Sequence, residues 1–144
     1  MARATVVIHR DVADVFDFLA KPRNLLDAAW GGRWQTDSLD QIGLGSRITG
    51  SKQHRPFKLT LDFLVTDFYR PSRLALRVSV PPYRSPVKLF LGRKKMQDSE
   101  DIWELERVAE GTRLTRVFSM PGKWLPSFGL RRDLRNVKAR LESE

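Results

Sequence analysis

The 144-residue sequence contains no cysteine, which excludes disulfides, thiolate metal sites and a cysteine nucleophile. That absence fits a reducing compartment, and the expected location is cytoplasmic. Histidine is almost missing as well. His9 and His54 are the two present; they fall in different predicted strands or turns, and no H-x-x-x-H spacing offers a metal site. Neither a metal nor a cofactor is expected. Long apolar runs are lacking: the opening MARATVVIHRD returns to charge after a few apolar residues, so neither a signal peptide nor a membrane span is expected. Acidic residues are the scarce charge, with 17 Asp and Glu against 26 Lys and Arg for a formal net charge of +9. Such an excess suits contact with a nucleic acid, an anionic membrane surface or an anionic ligand. Arginine-rich proteomes also yield basic proteins with no polyanion partner.

What is present is patterned apolar sequence, 41% of the chain against 30% charged, enough for a core and too short for two. One domain spanning 1–144 is expected, without repeats or low-complexity tracts. Near the C-terminus, Leu130, Leu134, Val137 and Leu141 follow helical spacing within residues 126 to 142 and form one apolar stripe. Arg131, Arg132, Arg135, Lys138 and Arg140 supply a basic face whose stems lie along the apolar flank. Pro126 suits a first helical turn, and Ser127 can cap it. A lone helix of this length is marginal in water, so the stripe implies a wide apolar partner.

The preceding chain supplies a sheet. Residues 4 to 9 read as a strand. Asp11 then caps a helix whose Val12, Val15, Phe16 and Leu19 share a face, and Pro22 opens a second short helix through about Ala29. Strands are predicted over 33–40 and, after the glycine turn Gly43-Leu44-Gly45-Ser46, to about Lys52. That glycine pair lacks the third glycine, lysine and following helix of a phosphate loop, so turn chemistry explains it. Phe57, Leu59, Leu61, Phe63 and Val65 alternate with Lys58, Thr60, Asp62, Leu64 and Thr66, the signature of a half-buried strand. Leu74, Leu76, Val78 and Val80 repeat it after the turn at Pro71. From Glu100, Trp103 and Leu105 oppose Glu104 and Glu106; Thr112 to Met120 forms the last strand, with Leu114, Arg116, Phe118 and Met120 on one face. Strands joined by short turns form an antiparallel meander covered by the closing helix.

Several ordered local features resemble the START-like superfamily, also called SRPBCC. They are Val15-Phe16, Trp30, Gly43-x-Gly45, Pro71-Ser72-Arg73-Leu74, Gly111-Thr112-Arg113-Leu114 and the ending Leu134 to Glu142. The resemblance implies an α+β helix-grip fold: a curved antiparallel sheet of about six to seven strands, two short helices after the first strand, and a long C-terminal helix packed across the sheet. It further implies a cavity between sheet and helix for a small hydrophobic ligand such as a lipid, isoprenoid or polyketide-like molecule. Related members include polyketide cyclases and dehydratases, and a ribosome-associated branch. An enzyme acting in the same cavity is therefore the alternative reading, and a ribosome- or RNA-associated module using the basic surface is the second.

The expected ligand-binding residues are Leu61, Phe63, Leu76, Val78, Trp103, Arg116, Phe118 and Val137. Arg116, between Leu114 and Phe118, can meet a carboxylate or phosphate at the end of an apolar ligand; the competing readings turn it outward at a β-bulge or pair it with Glu104. Asp62, Glu104 and Tyr83 are candidate acids or bases, but the alternation puts both carboxylates on the polar face. No catalytic residue is assigned, and the sequence does not decide whether a reaction is catalysed. Phe63, Trp103, Phe118 and Trp124 are cavity-lining or plain core aromatics. Residues 81–97 carry Arg84, Lys88, Arg93, Lys94 and Lys95 around the apolar run Val87 to Leu91, with no acid. This segment departs from the simplest resembling proteins. Lys88, Phe90, Arg93, Lys94 and Lys95 are the expected contacts to an anionic membrane surface, with nucleic acid or the ribosome the less favoured partner.

Overall fold

A computed structural model describes residues 1–31, 33–36, 41–54, 57–79, 99–119 and 128–143. Strand β1 (Ala2–Ile8) leads to α1 (Val12–Leu19), then to α2 (Pro22–Asn24), which continues as a π-helical turn over Leu25–Ala29. The strands β2 (Gln35–Thr36), β3 (Arg47–His54), β4 (Phe57–Tyr69), β5 (Arg73–Ser79), β6 (Ser99–Val108) and β7 (Gly111–Ser119) follow, and α3 (Phe128–Glu142) ends the chain. All strands belong to one sheet in the order β1-β7-β6-β5-β4-β3-β2, and every pairing is antiparallel. The meander expected from the sequence runs from β2 to β7, and β1 pairs the last strand, a closure of the sheet that the sequence reading did not include. Gly111 opens β7 at φ +140°, and a Cβ there would sit 2.3 Å from the Ile8 carbonyl oxygen. Only glycine permits that approach of β7 to the end of β1.

Helix α1 forms as its sequence dictates. Asp11 accepts the Ala13 N–H at 3.3 Å, capping the first turn, and Val12, Val15, Phe16 and Leu19 are buried together with Phe18. In α3 the stripe Leu134, Val137 and Leu141 is buried, and Leu130 packs partly against the same core. The helix lies against β1 and the π-helical turn. Polar contacts fix its end: Lys138 Nζ donates to the Val7 carbonyl at 2.6 Å, Arg10 to the Leu141 carbonyl at 2.8 Å, and the His9 N–H to Glu142 at 2.8 Å.

Several boundaries differ from the sequence reading. The second helix is α-helical for one turn and then widens to π; the proline that opens it does not dictate how it ends. Strand β4 runs three residues past the expected Thr66, with a register shift between Val65 and Asp67 that keeps Phe68 against the core. The predicted strand over 33–40 is a two-residue pair at Gln35–Thr36, with 37–40 outside the described residues. Met120, Trp124, Pro126, Ser127 and the whole basic segment 81–97 also lie outside them.

Candidate functional site: a buried arginine centre under the closing helix

Among the described residues, the inner face of the sheet is mostly apolar, and it buries one ion pair. On β6 the alternation carries Ser99, Asp101, Trp103 and Leu105 inward, and on β7 Arg116 stands directly opposite Trp103. Arg116 is 2% exposed and Asp101 is fully buried. Arg116 Nε and Nη2 donate to the two oxygens of Asp101 at 2.7 and 3.0 Å, the bidentate fork that guanidinium geometry favours. Its Nη1 donates to the Ala29 carbonyl at 2.7 Å and to Asp133 Oδ2 at 3.4 Å. The π-helical turn therefore has a function in the fold: it presents a backbone carbonyl and the following Trp30 to the centre.

Aromatic rings complete the enclosure. The guanidinium carbon lies 4.6 Å from the Trp103 ring centroid and 5.4 Å from that of Trp30, within cation–π range. Trp30 Nε1 donates to Asp101 Oδ2 at 3.0 Å, and its ring meets Phe63 and Phe118 edge-on at 5.2 and 5.6 Å. Asp133 reaches in from α3, with a side chain 12% exposed. Burial pushes its carboxyl above the ordinary carboxylate range, against the opposing pull of Arg116 and then Arg132. Arg132 Nε stands 3.6 Å from Asp133 Oδ1, at ion-pair distance but without hydrogen-bond geometry. Among the described residues, Ser99 Oγ, Trp103 Nε1 and Asp133 Oδ1 are buried polar atoms with no hydrogen-bond partner. Buried polar groups are nearly always satisfied, so Trp103 and Asp133 at the centre, and Ser99 two residues before Asp101 on β6, mark where the protein departs from a plain core.

Arg116 points inward, but its partners differ from those expected. Its charge is met by Asp101 and Asp133 inside the protein, and Glu104 instead pairs with Arg73 at 3.4 Å on the exposed face. The sequence reading missed Asp101, Asp133 and Ser99. The other expected residues, Leu61, Phe63, Leu76, Val78, Trp103, Phe118 and Val137, are brought together in one core, each at most 8% exposed. Neither cavity described lies among them. One, of about 600 Å³, is lined by Arg23, Trp34, Gln35, Thr36, Thr49, Ser51, Lys58 and Thr60. Its Thr49, Ser51, Lys58 and Thr60 alternate with the core-facing Ile48, Gly50, Leu61 and Phe63, which puts much of this polar cavity on the opposite face of the sheet. The other, of about 360 Å³, surrounds the turn joining β6 and β7 beside His9 and Arg10. Among the described residues no group of His, Cys, Asp or Glu is placed to hold a metal. No described helix is long and apolar enough to cross a membrane.

No protein-family model matches the sequence, and no curated protein matches it. Solved structures do match in shape. A Chromobacterium violaceum protein superposes with a TM-score of 0.76 at 13% identity, covering 99% of this chain and 96% of that one. A protein from Arthrobacter aurescens gives 0.74 at 16% identity, covering 99% and 86%. The Aha1 dimer from Colwellia psychrerythraea gives 0.63 at 14% identity, covering 98% and 95%. At such identities the likeness establishes architecture, and the protein has the helix-grip fold that these structures share.

Proposed function

We propose that the protein binds, and carries, a small hydrophobic molecule of lipid, isoprenoid or polyketide-like character between the sheet and α3. The fold supports this, since helix-grip proteins typically bind hydrophobic ligands. The observation that carries it is that Ser99 Oγ and Trp103 Nε1, on the inward face of β6, are buried without a hydrogen-bond partner, and that Asp133 Oδ1 has an ion pair with Arg132 but no hydrogen bond. A core built only for stability gains nothing from them, because each costs roughly 1–3 kcal/mol unless a partner arrives. The described inner side chains are packed, so binding on this reading involves parting α3 from the sheet. The expected ligand-lining set is Leu61, Phe63, Leu76, Val78, Trp103, Arg116, Phe118 and Val137, to which Ser99 and Asp133 are added. Catalysis is not part of the proposal.

The basic segment 84–95 is the proposed docking edge, on the strength of its sequence: Leu89, Phe90 and Leu91 sit between Lys88 and Arg93, Lys94 and Lys95, combining interfacial burial with attraction to anionic lipid. The lack of cysteine supports a cytoplasmic setting. Native mass spectrometry of the purified protein, with organic extraction of what it carries, tests the reading. A co-purifying apolar molecule, or displacement of an environment-sensitive apolar dye by fatty-acyl or polycyclic compounds, is the expected result. Failure of every such compound to bind the folded protein sinks it.

A further inference from the structure

Resting on that reading, we infer that the polar end of the ligand is uncharged, a ketone, ester or alcohol oxygen, and that carboxylates and phosphates are rejected. A lone inward arginine in an apolar cavity would select an anion. Here the guanidinium is already occupied: Asp101 takes Nε and Nη2, and Ala29 and Asp133 share Nη1. Its faces are covered by Trp103 and Trp30. The charges also balance. Arg116 and Arg132 stand against Asp101 and Asp133, with the two carboxylates on the buried side and Arg132 on the exposed one, its side chain 65% exposed. An arriving carboxylate would therefore lose its water to meet two like charges and, among the described residues of the centre, no unpaired cation, which is strongly unfavourable.

What the inner face does offer is neutral. Trp103 Nε1 is a donor, and the Ser99 hydroxyl both donates and accepts; both are fully buried and unpartnered among the described residues. Ser99 and Trp103 flank Asp101 on one face of β6, so the two open groups border the balanced ion centre rather than belonging to it. An oxygen with lone pairs and no charge fits either one.

The experiment is displacement of a bound apolar dye at neutral pH by four compounds of one chain length: an alkane, a methyl ketone, a primary alcohol and the fatty acid. The ketone or alcohol is expected to bind at least about tenfold tighter than the ionised acid, the discrimination expected when a charge is buried unpaired. Ser99→Ala should weaken the ketone or alcohol roughly three- to tenfold and leave the alkane unchanged. Asp133→Asn removes one of the two carboxylates and should narrow the gap in favour of the acid, whereas a purely structural role for Asp133 would shift all four ligands together. Equal or tighter binding of the acid overturns the inference while leaving the hydrophobic site intact. If the dye binds and even the alkane fails to displace it, or if the dye does not bind, the site itself is disproved and the inference falls with it.

Discussion

Arg116 shows how one residue's meaning depends on its neighbours. The ion pair with Asp101 is buried at both ends, with side chains 3% and 0% exposed, so its attraction is offset by the cost of dehydrating two ions. Removing one partner leaves the other buried and unpaired. Arg116→Met should therefore destabilise the protein by about 3–5 kcal/mol, read from chemical denaturation. Replacing Asp101 by Leu in the same chain should recover much of that loss; a double variant as unstable as the sum of the single changes would show that the pair is not the unit. Asp133 gives a second test at this scale. Its carboxyl is raised above the usual 3.8, mainly by burial, with Arg116 and Arg132 as the cations that oppose the shift. Between 3.8 and the raised value the unfolded chain has lost this proton and the folded protein keeps it, so stability falls as pH rises through that window. The difference in Tm between Asp133→Asn and the wild type should move in the variant's favour as pH is raised above 3.8. A difference that stays constant with pH would mean that Asp133 does not carry the linkage.

The elements depend on α3 covering the inner face. Leu134 is 1% exposed in the middle of the stripe, and Arg116 and Arg132 already serve the adjacent Asp133. Leu134→Asp should lower the thermal midpoint strongly, by a stability loss of more than about 4 kcal/mol; an unchanged midpoint would show that α3 does not close the core. The helix and most strands were legible because burial imposes a period on sequence: the α3 stripe and the alternation of Leu61, Phe63 and Val65 are each a consequence of one wet face and one dry one. The centre was only half legible. The period-2 reading of β6 started at Trp103, and carrying it back by two residues and then two more places Asp101 and Ser99 on the same inner face. Asp133 lies three residues after Leu130 and four before Val137, on the buried side of the α3 stripe, but a helix reading that counts only apolar positions passes over an acid there. The π-helical turn had no local signal. Its geometry answers to Arg116, which takes the Ala29 carbonyl from 87 residues away in sequence, and no window of neighbouring residues contains that demand.

At the scale of the whole molecule, the chain carries a net +9, part of it in the segment 81–97, and several basic side chains elsewhere have acidic partners: Arg70 with Asp17, Arg73 with Asp67, Arg113 with Glu106 and Lys138 with Glu142. Exposed pairs of this kind contribute little to stability, and they hold their members locally while leaving the net excess of nine positive charges in place. Helix α3 keeps Arg131 and Arg135 exposed without an ion pair among the described residues, but its sequence has a single aromatic, Phe128 at its first residue, where binding to a single strand calls for several stacking rings. The proposed segment at 84–95 differs, because its sequence joins basic residues to Leu89, Phe90 and Leu91. Near an anionic bilayer each Lys or Arg contributes about 1 kcal/mol, so the four flanking residues together should give binding that weakens as salt screens it. The protein is expected to sediment with phosphatidylserine-containing vesicles at low salt and not with neutral ones. Neutralising Lys88, Arg93, Lys94 and Lys95 together should abolish that sedimentation while dye binding under α3 is retained, since the two surfaces draw on different residues. Sedimentation unaffected by the four changes would move the docking role to α3. A protein that ignores vesicles but binds RNA with a steep salt dependence would replace the membrane with a nucleic acid as the partner.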